Sequence, residues 1–200
     1  HNGAVVTKTI NPKLSKGIKT VFKEQDCTLF MGMLAVVNTL LHKYTNQEDI
    51  VIGTPIVGRE HADLQDQIGF YVNTLALRTP LKGGDQFDEL LKKVKQTTLG
   101  AYEHQMYPFA ELVDKLKIRR DMSRNPLFDV QVIVGQTETT GQEQKLNDIE
   151  VSAFEGDQFH SSKFDMVVQF AEQNDELKTD IKYNTDIYNK ATIERFANHL

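Results

Sequence analysis

Apolar and polar positions along the chain follow two periods, and their order predicts a mixed α/β fold. Helical spacing dominates the first half between short apolar runs, whereas strand-like runs cluster in the second half. Helices that interleave with strands early, followed by strands late, are typical of a mixed sheet with packed helices. No repeat, low-complexity tract or Pro/Gly-rich linker divides residues 1–200, so they are interpreted as one unit.

The spacing of apolar side chains predicts five helices. The first opens at Asn11-Pro12, because proline early in a helix loses no hydrogen bond that the helix needs. Thr28 is expected to cap the second, which runs to about His42 and is apolar almost all round, so it should be central and buried. The remaining helices are predicted at 87–104, 109–116 and 192–200.

Short apolar runs bounded by turn residues predict the strands. They are expected at 4–10, 50–55, 68–79, 127–134, 149–154, 164–170 and 177–183, with a polar loop at 137–145. The sequence Glu172-Gln173-Asn174-Asp175 is interpreted as a hairpin turn between the last two strands.

Composition narrows the class of protein. The chain is 40% hydrophobic and 26% charged, the profile of a globular protein. A net charge of -5 argues against non-specific nucleic-acid binding, and the longest apolar stretch, 28–41, is too short for a membrane span. A single cysteine, Cys27, excludes an intrachain disulfide and favours a reducing cytoplasm. No HxH, HExxH or DxD spacing occurs, so no metal site is predicted.

Four short stretches are dense in Gly, Pro, Asn, Arg and His. They are GTPIVGR (53–59), IGFYVNT (68–74), HQMYPF (104–109) and RDMSRNPL (120–127). The first lacks the Lys-Ser/Thr ending of a phosphate loop, so its glycines are interpreted as permitting tight turns or close backbone approach.

Each candidate side chain has a structural and a functional interpretation. Asn73 is expected either to bond to neighbouring backbone or to face a substrate channel. His104 suits the C-terminus of a helix, since an acid or base role would need a partner that is not apparent nearby. The charge cluster Arg119-Arg120-Asp121 with Arg124 is interpreted either as an internal ion pair that locks the loop or as a site for phosphate. No Ser-His-Asp set or pair of catalytic carboxylates is evident.

Taken together, these stretches resemble the C-terminal half of a condensation domain from a nonribosomal peptide synthetase. IGFYVNTLALR resembles the family motif IGxFVNTxxxR, HQMYPFAELVDKL resembles HQDxPFExLVExL, and RDMSRNPLFDV resembles RDxSRxPLFxV. Met106 and Tyr107 depart from the second of these patterns, so a carboxylate role there is not carried over. Several linked motifs in the right order are far more specific than any one of them.

The catalytic signature of that family, HHxxxDG, is absent, because no two of the six histidines are adjacent. In the family this motif lies in the N-terminal lobe. The resemblance therefore implies that residues 1–200 are the C-terminal lobe of a condensation domain cut from a longer protein. Such a lobe is expected to be inactive alone, and its exposed apolar face is expected to favour self-association.

The resemblance also implies an architecture like chloramphenicol acetyltransferase, with two lobes around a substrate tunnel. Expected partners are the N-terminal lobe, upstream and downstream peptidyl carrier proteins and an adjacent adenylation domain, but no nucleic acid and no membrane. No cofactor is expected to bind directly, since phosphopantetheine arms tether the substrates. The positions expected to line the tunnel or stabilise the lobe are Asn73, Arg78, His104, Gln105, Pro108, Phe109, Arg120, Asp121 and Arg124.

Two alternatives to amide formation stay open. An epimerisation domain uses the same fold and histidine motif on one substrate, although LFDVQVIVGQ is closer to the condensation pattern. A lobe without a tunnel partner would instead serve only as a docking module for carrier proteins.

Overall fold

A computed structural model describes residues 2–59, 61–118, 121, 124–136, 161–173 and 175–200. Within these ranges the strands are β1 (Gly3–Ile10), β2 (Asp49–Ile56), β3 (Asn73–Pro80), β4 (Val130–Gln136), β5 (Met166–Gln173) and β6 (Glu176–Asn184). The helices are α1 (Pro12–Glu24), α2 (Leu29–Thr45), α3 (Phe87–Glu103), α4 (Phe109–Lys115) and α5 (Lys190–His199), with a 3-10 turn at Ala62–Leu64. This mixed α/β architecture confirms the predicted fold class.

The strands form one mixed sheet in the order β1-β6-β5-β4-β2-β3. The inner pairs β2·β4 and β4·β5 are parallel, whereas β1·β6, β5·β6 and β2·β3 are antiparallel. The antiparallel pairing of β5 with β6 confirms the predicted hairpin. Parallel pairs need covered faces, which agrees with the helices that pack on the sheet.

Apolar side chains at alternate positions line up across the sheet and form its buried face. In the register, Val132 lies opposite Val168, which in turn lies opposite Ile181, and all three side chains have no exposed surface. Ile52 and Leu77 make a matching, fully buried pair across β2 and β3. Because side chains alternate between faces of a strand, this register fixes which face is the core.

Polar residues begin the helices as the sequence predicts. The side-chain oxygen of Asn11 accepts a hydrogen bond from the backbone N–H of Leu14 at 2.9 Å, and Pro12 follows it. The Thr28 hydroxyl oxygen accepts from the backbone N–H of Met31 at 3.2 Å. These bonds satisfy N–H groups that have no partner within the helix.

Helix α2 lies in the core, as its apolar composition predicts. It packs against α1 because Gly32 leaves room for the ring of Phe22, which a Cβ at residue 32 would overlap. At its other end, Tyr44 meets Phe196 of α5 edge-on, with ring centroids 5.4 Å apart. The helices are therefore joined to one another as well as to the sheet.

Two strand predictions begin too early. Residues 68–72 are not a strand, and β3 begins at Asn73, because the preceding segment is folded around Arg59 instead of pairing with β2. Residues 127–129 precede β4, because Leu127 has a φ of 73°, which an extended strand does not allow. The predicted strand 149–154 and loop 137–145 lie outside the described residues.

The Cys27 thiol is only half-buried, and this burial raises its pKa.

Candidate functional site

Asn73, the first residue of β3, joins two of the motif segments through its side-chain amide. Its Nδ2 donates to the backbone carbonyls of Gln105 and Tyr107, each at 2.9 Å. Its Oδ1 accepts from the backbone N–H of Phe109 at 3.1 Å. The half-buried amide thus makes three hydrogen bonds to one loop, and these bonds place the start of α4 beside the sheet.

Phe109 extends this connection to the third motif through aromatic packing. Its ring centroid lies 5.6 Å from that of Phe128, which lies 5.5 Å from that of Phe164 in a stacked arrangement. The Phe128 ring is 4% exposed and fits over Gly53 of β2, where a Cβ would overlap it. The interpretation of this glycine as a point of close approach is confirmed.

Two of the motif segments line an open cavity of about 640 Å³ between α4 and residues 124–129. Its apolar lining comes mainly from Phe109, Val113, Ile118, Leu127 and Phe128, and its polar lining includes Asp121, Arg124 and Asp129. A mostly apolar cavity of this size with a few polar groups is typical of a small-molecule or cofactor site.

Leu127 lies on the cavity wall in a strained backbone conformation. Its φ is 73°, and the backbone N–H of Phe128 donates to the carbonyl of Pro126 at 3.0 Å, closing a three-residue turn. This γ-turn with a positive central φ is rare, and it is more strained still for a side chain other than glycine. Such strain is common at ligand sites, where the surrounding structure holds the chain in place.

A charged group lies at the same end of the sheet. Arg124 binds Asp129 through both carboxylate oxygens, with Nε 3.3 Å from Oδ1 and a second, shorter bond from Nη2 to Oδ2. Burial raises the pKa of Asp165, as does the charge of Asp129, whereas Arg124 lowers it. Burial also raises the pKa of the Tyr188 phenol. Arg124 therefore offsets the repulsion between the carboxylates of Asp129 and Asp165.

Arg78 is not part of this group of residues. It lies near the other end of β3 and binds Asp49 of β2 through two hydrogen bonds of 2.8 and 2.6 Å. Both side chains are exposed, and the hydrogen bond to Arg78 lowers the pKa of Asp49. This pair connects the strand ends away from Asn73.

The other predicted positions surround the Asn73 loop. His104 ends α3, and its ring Nδ1 lies 2.9 Å from the carbonyl oxygen of Gly100, which matches the helix-terminus interpretation. Gln105 contributes its backbone carbonyl to Asn73, and Pro108 precedes α4. Asp121 lines the cavity, and its backbone carbonyl accepts from the N–H of Arg124 at 3.3 Å. The prediction for Arg120 falls outside the described residues.

Sequence reasoning missed the structural role of Arg59. Its Nη1 donates to the carbonyls of Leu64 and, at 2.6 Å, of Gln67, and its Nη2 donates to that of Gly69 at 3.3 Å. Its guanidinium carbon also lies 4.4 Å from the ring centroid of Tyr71. In the sequence, Arg59 is visible only as an arginine at the end of a glycine-rich stretch. That position does not by itself indicate a guanidinium group that donates hydrogen bonds to several carbonyls of one loop.

Metal-ligating side chains do not cluster in the part of the chain that the structure describes. Among those residues, no three His, Cys, Asp or Glu side chains are grouped closely enough to hold a metal ion. None of the helices within the described ranges is both long and apolar enough to cross a membrane.

Comparison with known proteins places these motifs in a family. The condensation domain family model matches residues 2–200. Bacitracin synthase 3 from Bacillus licheniformis is 42% identical over 198 residues, which is 99% of this chain and 3% of that protein. Gramicidin S synthase 2 from Brevibacillus brevis is 41% identical over 98% of this chain and 4% of its own length. The chain therefore spans a small part of the curated relatives that it matches.

Solved structures agree on the fold. A four-domain nonribosomal peptide synthetase bound to AMP and glycine has a similar fold, with a TM-score of 0.88 and 23% identity. The aligned region covers 98% of this chain and 16% of the length of that synthetase chain. The first condensation domain of the calcium-dependent antibiotic synthetase, bound to a substrate analogue, is similar with a TM-score of 0.76 and 16% identity. The aligned region covers 98% of this chain and 43% of the length of that solved chain. The fold is thus the predicted condensation-type, chloramphenicol-acetyltransferase-like one. Because the family model matches residues 2–200, the chain belongs to the condensation domain family.

Proposed function

We propose that this chain is one lobe of a nonribosomal peptide synthetase condensation domain, which forms an amide bond between two carrier-bound substrates. The observation that carries the proposal is the convergence of three motifs, distant in sequence, on Asn73, Phe109 and Phe128 beside an apolar cavity. Membership of the family supports it. The second lobe supplies the adjacent histidines that these 200 residues lack.

The reaction needs little covalent chemistry from this lobe. The amine nitrogen of the acceptor attacks the carbonyl carbon of the donor thioester, and the carbon–sulfur bond breaks. The thiolate that leaves takes up the proton that the amine loses, so the products are an amide and a free thiol. Holding the two reacting atoms together supplies a large part of the acceleration, with effective concentrations of about 10⁵–10⁸ M for well-oriented groups.

Within that reaction, the proposed task of this lobe is to form one wall of the substrate tunnel. Phe109, Asp121 and Arg124 line the cavity and are assigned to the tunnel wall. Asn73 and Gln105 hold α4 in place and are assigned to lobe stabilisation. Arg78 bonds to the neighbouring strand and His104 bonds within its own helix, so they are assigned the same structural task.

The substrates of this proposal arrive on flexible arms. Phosphopantetheine groups of an upstream and a downstream carrier protein present the donor and the acceptor, and an adjacent adenylation domain activates the acceptor amino acid. The cavity of about 640 Å³ falls within the range of ligand sites, roughly 300–1,000 Å³, and its mostly apolar wall suits an aminoacyl group with its tether. No cofactor needs to bind the lobe itself.

A transfer assay tests this function. Carrier-bound donor and acceptor are mixed with the 200-residue chain, and separately with the chain extended upstream through the second lobe. We expect amide product from the extended protein alone, and none when its paired histidines are replaced by alanine. Product from the 200-residue chain would contradict the proposal and would make His104 the first residue to replace.

The same assay separates the alternatives. Inversion of the donor α-carbon without amide formation, detected by chiral analysis of the released amino acid, would identify an epimerisation lobe. Carrier binding with neither product would identify a docking module. The extended protein with Phe109 replaced by alanine provides a further check, since loss of the cavity wall should lower product formation while the paired histidines remain intact.

A further inference from the structure

Gln131, the second residue of β4, places its side chain on the face of the sheet opposite the core. In the register it lies between Gly53 of β2 and Val167 of β5. The next residue, Val132, has no exposed surface and belongs to the core. Because side chains alternate between the two faces of a strand, Gly53, Gln131 and Val167 form one row on the face away from the core.

The amide of Gln131 is buried without a partner. The residue is only 8% exposed, and among the residues that the structure describes none forms a hydrogen bond with this amide. Buried polar groups in folded proteins are nearly always hydrogen-bonded, so an unpaired carboxamide requires an explanation. Its polar atoms are not completely sealed from solvent, and a group from outside the lobe can therefore reach them.

The surroundings of this amide are apolar and adjoin the cavity wall. The Phe128 ring lies over Gly53, the neighbour of Gln131 in the row, and this ring stacks on Phe164 and lines the cavity. Neighbouring strands are about 4.7–4.9 Å apart, so the Gln131 side chain starts one strand away from the position that the ring covers. A polar group placed beside an apolar wall is typical of ligand sites, where a few such groups orient the ligand.

The chemistry of the amide selects among ligand groups. Gln131 is neutral, and its two neighbours in the row, Gly53 and Val167, carry no charge that would neutralise a phosphate or a carboxylate. A carboxamide donates to a carbonyl through its nitrogen and accepts from an N–H through its oxygen. These are the two groups of a secondary amide, and the phosphopantetheine arms of the proposed function contain such amides.

We propose that Gln131 binds an amide group of a substrate-carrying phosphopantetheine arm and thereby positions the thioester for reaction. The proposal rests on the proposed function, which supplies the arm. Gln131 takes no part in making or breaking bonds. It restricts the arm, so that less freedom is lost when the thioester carbon and the amine nitrogen meet. The amide stays unpaired in the lobe because its partner arrives with the substrate.

The variant Gln131→Leu separates binding from folding, because leucine is of similar size and lacks the polar atoms. The protein tested is the chain extended upstream through the second lobe. We expect its urea midpoint to stay equal or to rise, since an unpaired buried group has been removed. With carrier-bound donor and acceptor, we expect kcat/KM for amide formation to fall about tenfold. An unchanged kcat/KM would overturn the inference.

Small thioesters identify the group that Gln131 binds. The thiol portion of a pantetheine thioester carries two amides, that of an N-acetylcysteamine thioester carries one, and that of an ethyl thioester carries none. Each replaces one carrier-bound substrate while the other substrate stays on its carrier. The effect of Gln131→Leu should disappear when the ethyl thioester replaces the arm that Gln131 binds, which distinguishes donor from acceptor. An effect that persists with the ethyl thioester on either side would overturn the inference.

Gln169→Leu is the matched control. Gln169 is half-buried on β5, two residues beyond Val167, so its side chain lies on the same face of the sheet, opposite Ile133 in the register. It is one row further from the Gly53 position that the Phe128 ring covers. This variant should leave kcat/KM at the value of the parent protein. Equal losses in the two leucine variants would overturn the inference.

The remaining outcomes separate this inference from the proposed function. A lower urea midpoint in Gln131→Leu would assign the amide to a structural partner in the second lobe and overturn the inference. If the parent protein makes no amide product, calorimetric titration with the aminoacyl pantetheine thioester decides. Binding about tenfold weaker in Gln131→Leu would then support the inference while the proposed function fails. Equal binding would overturn the inference, and product formed equally by both proteins would do so while the proposed function stands.

Discussion

The ring of Phe128 lies over the backbone of Gly53, in the volume that a Cβ at that position would need. Through this contact, a residue that precedes β4 packs directly onto β2. Phe128 also touches Phe109 of α4 and Phe164 ahead of β5, so one buried ring meets three separate segments of the chain. The shape of the cavity wall therefore depends on the absence of a side chain at residue 53.

Replacing Gly53 by alanine should destabilise the protein by about 1–3 kcal/mol, because the new methyl group forces the Phe128 ring out of its site. Urea unfolding followed by circular dichroism measures the change in the free energy of unfolding. Gly135→Ala is the matched control, since Gly135 also lies in a strand but has nothing within 4 Å of an added Cβ. An equal loss in the two variants would contradict the overlap with Phe128.

Replacing Asn73 by aspartate should destabilise the protein by about 1–3 kcal/mol, because the carbonyls of Gln105 and Tyr107 lose their donor and face a carboxylate instead. The loop from 105 to 109 should also exchange its amide hydrogens faster. Asn198→Asp is the control, since the Asn198 side-chain oxygen accepts from Lys8 and an aspartate keeps that acceptor. Similar losses at the two sites would mean that the Asn73 donor has no specific role.

Replacing Asp165 by asparagine should stabilise the protein at pH 7. Burial and Asp129 raise the pKa of Asp165 above its ordinary value of 3.8, so its charge is less favourable in the folded state than in the unfolded chain. As the pH falls through the raised pKa, the native carboxyl takes up a proton and the advantage of the variant shrinks. It should be gone below the unfolded value.

Urea midpoints across a pH series test this dependence, and Asp49→Asn provides a control of opposite sign. The hydrogen bond from Arg78 lowers the pKa of Asp49, so that carboxylate stabilises the folded state at pH 7. The stabilisation is present above the unfolded pKa and is lost as the pH falls through the lowered one. Asp49→Asn should therefore lower the urea midpoint at pH 7. A higher midpoint at that pH would contradict a stabilising hydrogen bond from Arg78 to Asp49.

Replacing Arg59 by lysine should loosen the 61–72 segment, even though the charge is kept. A lysine has one nitrogen and lacks the planar fork that serves three carbonyls at once. Limited proteolysis should cut this segment faster, while the urea midpoint changes little because the loop adds few side chains to the core. Arg195→Lys, an exposed change on α5, should leave the cleavage rate as it is. Unchanged cleavage in Arg59→Lys would contradict the role assigned to the fork.

Periodicity predicted most of the described fold, because the core depends on local pattern. The spacing of apolar residues located all five helices, and short apolar runs next to a turn located β5 and β6. The cap at Thr28 was also predictable, since its bond to Met31 is local in sequence. The predictions that failed were the starts of two strands, because contacts distant in sequence or a strained backbone determine where those strands begin.

The start of β3 shows this limit. Residues 68–72 have the composition of a strand, yet Arg59 binds carbonyls within and just before this segment and turns it outward. Leu127 shows it again, since no pattern of apolar residues predicts a positive φ at a leucine. For the site, the motifs predicted which segments matter, whereas the contacts between Gly53, Phe128 and Phe109 depend on a packing that sequence spacing does not encode.

The pairing of β1 with β6 has a consequence for the order in which the chain folds during synthesis. Gly3 lies opposite Asn184, so β1 emerges from the ribosome about 180 residues before its partner strand is complete. At synthesis rates of about 5–20 residues per second, β1 waits on the order of 10–40 s with an unpaired edge. Because β1 pairs with β6, it can join the sheet only after β6 has been made. Among the strands that the structure describes, the first in sequence thus gains its partner only when the last has been made.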